Sequence, residues 1–88
     1  MSMQQEILKN TLSDMLYHAR EKRDFTQSEF AELCALSPRA YEDLELRKSL
    51  PSFRTLVNIA IACNLDTNEL ILRIKESGYQ VLDEVNGI

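Results

Sequence analysis

Four closely spaced helix-start signals constrain this sequence more than any other feature. Thr26 with Glu29, and Asp66 with Glu69, have the spacing of a capping box, in which each residue's side chain accepts a hydrogen bond from the other's amide. Ser37-Pro38 places a capping serine before a proline at the first helical position, and Ser52 can cap a further helix. Because these signals are only 11, 15 and 14 residues apart, the helices between them have to be short.

The spacing of apolar residues completes an all-α prediction. Residues 7–19 carry one continuous apolar face, and comparable faces follow each start signal. Asn64 can end the fourth helix in a left-handed conformation. The predicted helices span residues 7–19, 27 to 35 or 36, 38–46, 53–63 and 67–74. The sequence therefore predicts a compact five-helix domain.

Length and composition fix the class of protein. At 88 residues and 44% hydrophobic, the chain forms one small folded domain and is too short for a barrel or a doubly wound sheet. Its apolar stretches are far shorter than the roughly 20 residues that span a bilayer. Residues 1–10 contain no secretion signal. We therefore expect a cytoplasmic protein with no membrane partner.

The cysteines and the single histidine argue against a metal site and against catalysis. Cys34 and Cys63 are 29 residues apart among apolar neighbours, and His18 stands alone. A zinc site needs four ligands in paired spacings, and a catalytic site needs a nucleophile beside a base. We expect both cysteines in the core, His18 at the surface, no cofactor and no enzymatic activity.

Short motifs at fixed distances carry a family resemblance. They are Leu16, Arg20, Phe25, Thr26-Gln27-x-Glu29-Phe30-Ala31, Leu36-Ser37, Glu45, Pro51-Ser52, Thr55-Leu56, Ile59-Ala60, Ala62 and Leu65-Asp66-x-x-Glu69-Leu70. Over residues 12–71 the chain resembles the helix-turn-helix domain of the Cro and phage-repressor type. The resemblance implies a lambda-repressor-like DNA-binding fold, in which helices two and three form the helix-turn-helix and helix three enters the major groove.

The resemblance also predicts how the chain is divided. Residues 1–76 are expected to form the helix-turn-helix DNA-binding domain. Residues 77–88 are then a C-terminal extension that either covers the domain or makes a dimer interface. Repressors of this type usually act as two-fold dimers on half-sites about one helical turn apart.

Individual roles follow from the resemblance position by position. Gln27, at the amino end of helix two, would sit against a DNA phosphate, where a helix N-terminus favours an anion. Lys48 and Arg54 would be further backbone contacts, and Arg20 would pair with Glu45 beneath the motif. The residues implied to meet base edges or flanking phosphates on the outward face of helix three are Ser37, Pro38, Arg39, Glu42 and Asp43.

Two positions depart from glycines that the family often has. Ala35 occupies the turn between helices two and three, where a left-handed conformation costs a residue other than glycine about 1 kcal/mol. After Glu45 the family usually has any residue followed by glycine, whereas this chain has Leu46 followed by Arg47. The resemblance thus predicts backbone strain at Ala35 and leaves the geometry of the loop after Glu45 open.

The acidic charge of the chain leaves two functions as alternatives. The chain has 10 basic and 14 acidic residues, a net charge of −4, and between Thr26 and Leu46 one cation, Arg39, faces five carboxylates. The first hypothesis is a sequence-specific transcriptional regulator, a repressor that binds a double-stranded DNA operator as a homodimer. A local basic rim would offset the acidity, built from Arg23, Arg39, Arg47, Lys48 and Arg54. The alternative is a protein-interaction module, such as an antitoxin or anti-repressor partner, with weak or lost DNA binding; the acidic helix three favours it.

Overall fold

The structure is a computed structural model that describes residues 3–81. It contains five helices and, within these residues, no strand. The helices are α1 (Met3–Lys22), α2 (Gln27–Leu33), α3 (Pro38–Glu45), α4 (Phe53–Cys63) and α5 (Thr67–Glu76). The all-α, five-helix prediction is confirmed. No helix in the described part of the chain is long and apolar enough to cross a membrane.

The helix starts are the ones that the capping residues predict. Thr26 Oγ1 accepts from the Glu29 amide at 3.1 Å while Glu29 Oε1 accepts from the Thr26 amide at 2.8 Å, so the capping box is complete. Ser37, Ser52 and Asp66 cap α3, α4 and α5 with one bond each, in which the capping side chain accepts from the amide three residues further on. At Asp66 the structure gives one of the two bonds of the predicted capping box, from the Glu69 amide to Asp66 Oδ1 at 2.9 Å.

Five predicted helix bounds need correction. Helix α1 ends at Lys22 and not at residue 19, α2 ends at Leu33 and not at 35 or 36, and α5 ends at Glu76 and not at 74. The other two are the start of α1 and the end of α3. Helix α1 begins at Met3 and not at residue 7, because its first turn is made of good helix formers. These residues lack the apolar spacing from which the helix was predicted. Helix α3 ends at Glu45 and not at residue 46, and Leu46 is its C-cap.

The helices end on left-handed residues, and glycine supplies only one of these. Leu36 N donates to Ala31 O at 2.8 Å and Ala35 N donates to Glu32 O at 3.1 Å, which is the Schellman pattern. Ala35 has φ 59°, so the predicted strain in the turn is present. The left-handed residues are Asp24, Ala35, Arg47 and Asn64, with Gly78 after α5. Asn64 confirms the predicted terminator, and Arg47, at φ 63°, adopts the conformation that a glycine would take more readily.

The core lies between α1 and the pair formed by α2 and α3 (residues 27–45), which we call the two-helix unit. Leu16, Phe30 and Tyr41 are fully buried, and the Phe30 and Tyr41 rings meet edge to face with centroids 5.3 Å apart. Helix α1 packs against both α3 and α5, while α2 packs against α3. Cys34 and Cys63 are buried, as predicted. The core thus fixes α3 on α1 and α2, with one face left to solvent.

Candidate nucleic-acid interface

Helix α3 divides into a buried face and a solvent face. Tyr41 and Leu44 point into the core, and the capping Ser37 is exposed beside Pro38 at the first helical position. The exposed residues among those predicted to contact DNA are Ser37, Pro38, Arg39, Glu42, Lys48 and Arg54, whereas Gln27 and Asp43 are half-buried. Proline has no amide hydrogen, and this costs nothing at the first helical position, because the first amides of a helix have no hydrogen-bond acceptor within the helix. The solvent face of α3 is therefore short and polar, and the buried face of the same helix anchors it to the core.

The anchor beneath α3 is the carboxylate of Glu45. Arg20 Nε donates to Glu45 Oε2 at 2.7 Å, and Arg20 Nη2 donates to Glu45 Oε1 at 3.2 Å. This bidentate pair is largely removed from solvent, with the Arg20 and Glu45 side chains 13% and 7% exposed. The structure therefore brings together the two residues expected to join helix one to the end of α3.

Further donors converge on the same residue. Gln27 Nε2 donates to Glu45 Oε1 at 3.0 Å, and the Tyr41 hydroxyl donates to Glu45 Oε2. Ser13 Oγ donates to the Glu45 carbonyl at 2.6 Å. Tyr41 is not among the residues singled out from the sequence, and the i, i+4 spacing of Tyr41 and Glu45 on one helix is the signal that would have indicated this contact. We call Arg20, Gln27, Tyr41 and Glu45 the Glu45 network.

The ionisation of the Glu45 network follows from its contacts. Burial alone would raise the pKa of Glu45, but hydrogen bonds from Arg20, Tyr41 and Gln27 hold that pKa below its ordinary value. The hydrogen bond to Glu45 raises the pKa of Arg20. Burial, together with the bond to Glu45, raises the pKa of the Tyr41 phenol. At neutral pH the network is thus a carboxylate surrounded by protonated donors.

Gln27 is placed differently from a simple phosphate ligand. Its side chain is half-buried and one amide hydrogen already bonds to Glu45. A glutamine amide carries two hydrogens, so a second donor remains for another partner. Any role of Gln27 at DNA is therefore coupled to its place in the Glu45 network.

Arg39, the one basic residue between Thr26 and Leu46, has a partner on its own helix. Its Nε lies 3.5 Å from Asp43 Oδ1, one helical turn further on. The Arg39 side chain is 79% exposed, and Asp43 Oδ1 is buried without a hydrogen bond. This is a loose i, i+4 ion pair, which contributes little and exchanges readily for a stronger anion. Arg39 is therefore available at the surface but is shared with Asp43.

The remaining cations do not all lie together. Lys48 follows the left-handed Arg47, and its amide donates to Asp43 O at 2.9 Å, which places it directly below α3. Arg54 is in the first turn of α4. Arg23 lies at the other end of α4, where Nη2 donates to the Cys63 carbonyl at 3.0 Å. The rim expected from five cations therefore lacks Arg23, because that side chain is tied to the end of α4.

The described part of the C-terminal extension returns to the start of α1. Gln4 Nε2 donates to Gln80 O at 2.5 Å, and Gln80 N donates to Gln4 Oε1 at 3.3 Å. Tyr79 and Val81 lie beside Leu8 along the same edge. Residues 77–81 thus contact the domain, and the rest of the predicted extension, 82–88, lies outside the described residues.

Comparison with known proteins identifies relatives of this arrangement. A family model described as a helix-turn-helix matches residues 16–70, which include α2, α3 and α4 entirely. The ImmF control region 10 kDa protein of Bacillus phage phi105 is 35% identical over 72 residues, which cover 77% of this chain and 80% of that protein. No solved structure matches the chain significantly.

Proposed function

The chain belongs to the Cro/C1-type helix-turn-helix family of DNA-binding transcription regulators, and we propose that it is a sequence-specific repressor that binds its operator as a homodimer. In this proposal α3 enters the major groove and Arg39 contacts a base or a phosphate. Lys48, Arg54 and the free amide hydrogen of Gln27 contact the DNA backbone. Ser37, Pro38, Glu42 and Asp43 complete the surface that faces the DNA.

The solvent face of α3 is the observation that carries the proposal. Tyr41, Leu44 and Glu45 fix the helix from below, while Arg39 and Glu42 project away from the core. A recognition helix needs this combination, because base readout requires a rigid support and free side chains on the opposite side. The name of the phage relative, a control region protein, is in keeping with a regulatory role.

The repressor's DNA contacts are tested by a binding titration. We expect the protein to form a specific complex with DNA flanking its own gene, and the affinity to fall when the salt concentration is raised. Arg39→Ala should lower the specific affinity by roughly 1–3 kcal/mol. The matched control is Lys75→Ala, which removes an exposed cation from α5. Equal effects of the two variants, or the absence of any specific complex, would contradict the proposal.

An exposed apolar stripe on α4 supports the dimer. Phe53, Val57 and Ile61 are 82%, 36% and 78% exposed and lie four residues apart, so they share one face of the helix. Arg54 is the single charged residue of α4, which is a low density for a solvent-facing helix in a chain that is 27% charged. A continuous exposed apolar surface of this kind is typical of an interaction site.

The stripe is suited to a second copy of the same chain because it is symmetric about its centre. In an antiparallel pair of α4 helices related by a two-fold axis at Val57, Phe53 of each copy faces Ile61 of the other. Such an interface is self-complementary, as a two-fold dimer requires. We therefore propose the α4 stripe as the dimer surface.

Two isoleucines that differ in position give a matched test of the dimer surface. Ile61→Ser should weaken dimerisation by roughly 3 kcal/mol or more, since burying each of two isoleucines contributes about 1.5–3 kcal/mol. Ile71→Ser removes an isoleucine of α5 that is 62% exposed and should leave the dimer unchanged. Sedimentation velocity reports both results. A monomeric wild-type protein at tens of micromolar, or a dimer unaffected by Ile61→Ser, would remove the proposed surface.

A protein-interaction role remains the second candidate, and the exposed acids of the two-helix unit favour it. Glu32 and Glu42 face solvent on α2 and α3. In this alternative an antitoxin-like or anti-repressor-like domain binds a basic protein partner. Glu42→Gln separates the two functions: it should strengthen nonspecific DNA binding by a repressor and weaken capture of a protein partner by an interaction module.

A further inference from the structure

An open cavity of about 510 Å³ lies where the end of α1, the end of α4 and α5 meet. Its size falls within the range of about 300–1,000 Å³ that is typical of small-molecule sites. The described residues that line it fall within 15–23 and 63–66, with Arg73, and none of them belongs to α2 or α3. Arg54 is at the opposite end of α4. The cavity is therefore separate from the candidate nucleic-acid interface.

One part of the cavity wall is apolar. Met15, Ala19 and Leu65 line the cavity, and all three are half-buried residues that pack against the hydrophobic core. The wall thus continues the core outwards and leaves some of its carbon atoms in contact with solvent. Such a surface favours a ligand with an apolar group, because removing apolar area from water is the dominant favourable term in most association.

The charged part of the wall is basic, although the chain as a whole has a net charge of −4. Lys22, Arg23 and Arg73 line the cavity, and Asp66 is the one carboxylate among the described lining residues. Two of these charges are engaged: Arg73 Nη2 donates to Asp14 Oδ2 at 2.6 Å, and Asp66 caps the start of α5. In the described part of the chain, no carboxylate lies within ion-pair distance of Lys22 or Arg23. The cavity thus presents two uncompensated positive charges, and a concave site concentrates their field.

Arg23 is held in place by neutral partners. Its Nη1 donates to Ala19 O at 3.2 Å and its Nη2 donates to Cys63 O at 3.0 Å. Its Cζ lies 5.9 Å from the centroid of the Phe30 ring, within cation–π distance. A guanidinium carries five N–H donors, so three are not used by these two bonds. A positioned arginine of this kind suits carboxylate and phosphate groups, because its planar donors match their oxygens and little side-chain freedom is lost on binding.

We propose that this cavity binds a small organic anion. Its carboxylate or phosphate group contacts Arg23 and Lys22, and its apolar group packs on Met15, Ala19 and Leu65. The two parts of the wall require both features in one ligand. An inorganic anion would leave the apolar wall in water, and a neutral apolar molecule would leave the two cations without a partner. The inference goes beyond the proposed repressor function and does not depend on DNA binding.

Four probes separate the two features of the ligand in NMR titrations of the full chain. Benzoate and phenyl phosphate carry a ring and an anionic group, and at least one of them should bind saturably with a dissociation constant of about 1 mM or below; the tighter binder identifies the anionic group. Benzamide has the shape of benzoate without its charge, and inorganic phosphate lacks the ring. Each should bind at least about tenfold more weakly than its charged or ring-bearing counterpart. No saturable binding of either anion, or equal affinities within the pair that contains the binder, would overturn the proposal.

The amides whose chemical shifts change report where the anion binds. They should belong to residues 19–23 and 63–66, which line the cavity or lie between its lining residues. Anions can also meet the cations that we propose as DNA contacts, Arg39, Lys48 and Arg54. Shift changes confined to α3 and residues 46–54 would place the anion on that surface and would overturn the cavity site.

Variants of the two cations test the assigned contacts. Arg23→Gln keeps a hydrogen-bonding group but removes the charge, and it should lower the affinity for the bound anion at least about tenfold. Lys22→Gln changes an exposed side chain, so it keeps the test valid if Arg23→Gln fails to fold, and it should lower the affinity several-fold. Lys75→Gln is the matched control, because Lys75 is an exposed cation of α5 that does not line this cavity, and its affinity should be unchanged. Wild-type affinity in either folded cavity variant would refute the contacts.

Discussion

Replacing Glu45 by glutamine should cost this domain a large part of its stability. The substitution conserves shape but removes the charge that Arg20 faces at 2.7 Å. The guanidinium, 13% exposed, would keep its bond to the Phe25 carbonyl at 2.9 Å and lose its carboxylate partner. Removing one partner of a buried pair costs about 3–5 kcal/mol. The amide oxygen of the new side chain still accepts one bond, so we expect the low end, about 3 kcal/mol.

Thermal and urea denaturation followed by circular dichroism at 222 nm measure this cost. For a domain of 60–100 residues, 1 kcal/mol corresponds to about 4–8 °C, so Glu45→Gln should lower the melting temperature by roughly 12–24 °C. Glu29→Gln is the matched control, because Glu29 accepts only from the Thr26 amide at the exposed start of α2. It should cost about 1 kcal/mol or less. Similar costs for the two variants would refute the view that Glu45 anchors α3.

Three further predictions follow from the same geometry. Ala35→Gly should stabilise the domain by about 1 kcal/mol in urea denaturation, because φ is 59° there; Ala40→Gly, inside α3, should destabilise it by a similar amount. Asp43→Asn should raise DNA affinity by about 0.3–1 kcal/mol, because it releases Arg39 from a loose i, i+4 pair, and an unchanged affinity in a binding titration would show that Asp43 does not compete with DNA for Arg39. The pKa of Glu45 is lower in the folded than in the unfolded protein. The ionised Glu45 therefore contributes fully to the free energy of unfolding above the unfolded pKa of about 4.3, and this contribution is lost as pH falls through the folded pKa. Stability measured below that pH should therefore fall more steeply for the wild type than for Glu45→Gln.

Local chemistry explains why most of the fold could be predicted from the sequence. A capping box at Thr26 and Glu29, or a serine before Pro38, specifies a helix start within four residues of chain. Asn64 specifies a stop in the same way. The start of α1 was missed because the residues of its first turn lack the apolar spacing of a helix. Boundaries were predictable where one short segment determined them.

The candidate site was less predictable because its contacts join distant parts of the chain. Arg20 and Glu45 are 25 residues apart and could be paired only through the family resemblance. Nothing in the sequence brings Arg23 to the carbonyl of Cys63, 40 residues away. These contacts depend on how α1, α3 and α4 pack, and side-chain type at one position does not specify that packing.

Part of the acidity of the two-helix unit is compensated inside the fold, and this affects the expected salt dependence of DNA binding. Arg20 of α1, which lies outside the unit, neutralises Glu45, and Glu29 bonds to the start of its own helix. The repulsion that DNA meets is therefore smaller than a charge count from Thr26 to Leu46 suggests.

In the proposed complex we assign three cations per protomer to phosphates: Arg39, Lys48 and Arg54. A dimer that neutralises about six phosphates should lose affinity with a slope near −5 in log affinity against log salt concentration, since each phosphate contributes about −0.9. Lys48→Ala, present twice in the dimer, should reduce that slope by about 2 while weakening specific and nonspecific binding alike. A wild-type slope close to zero would mean that these cations do not meet phosphates, and it would favour the protein-partner alternative instead.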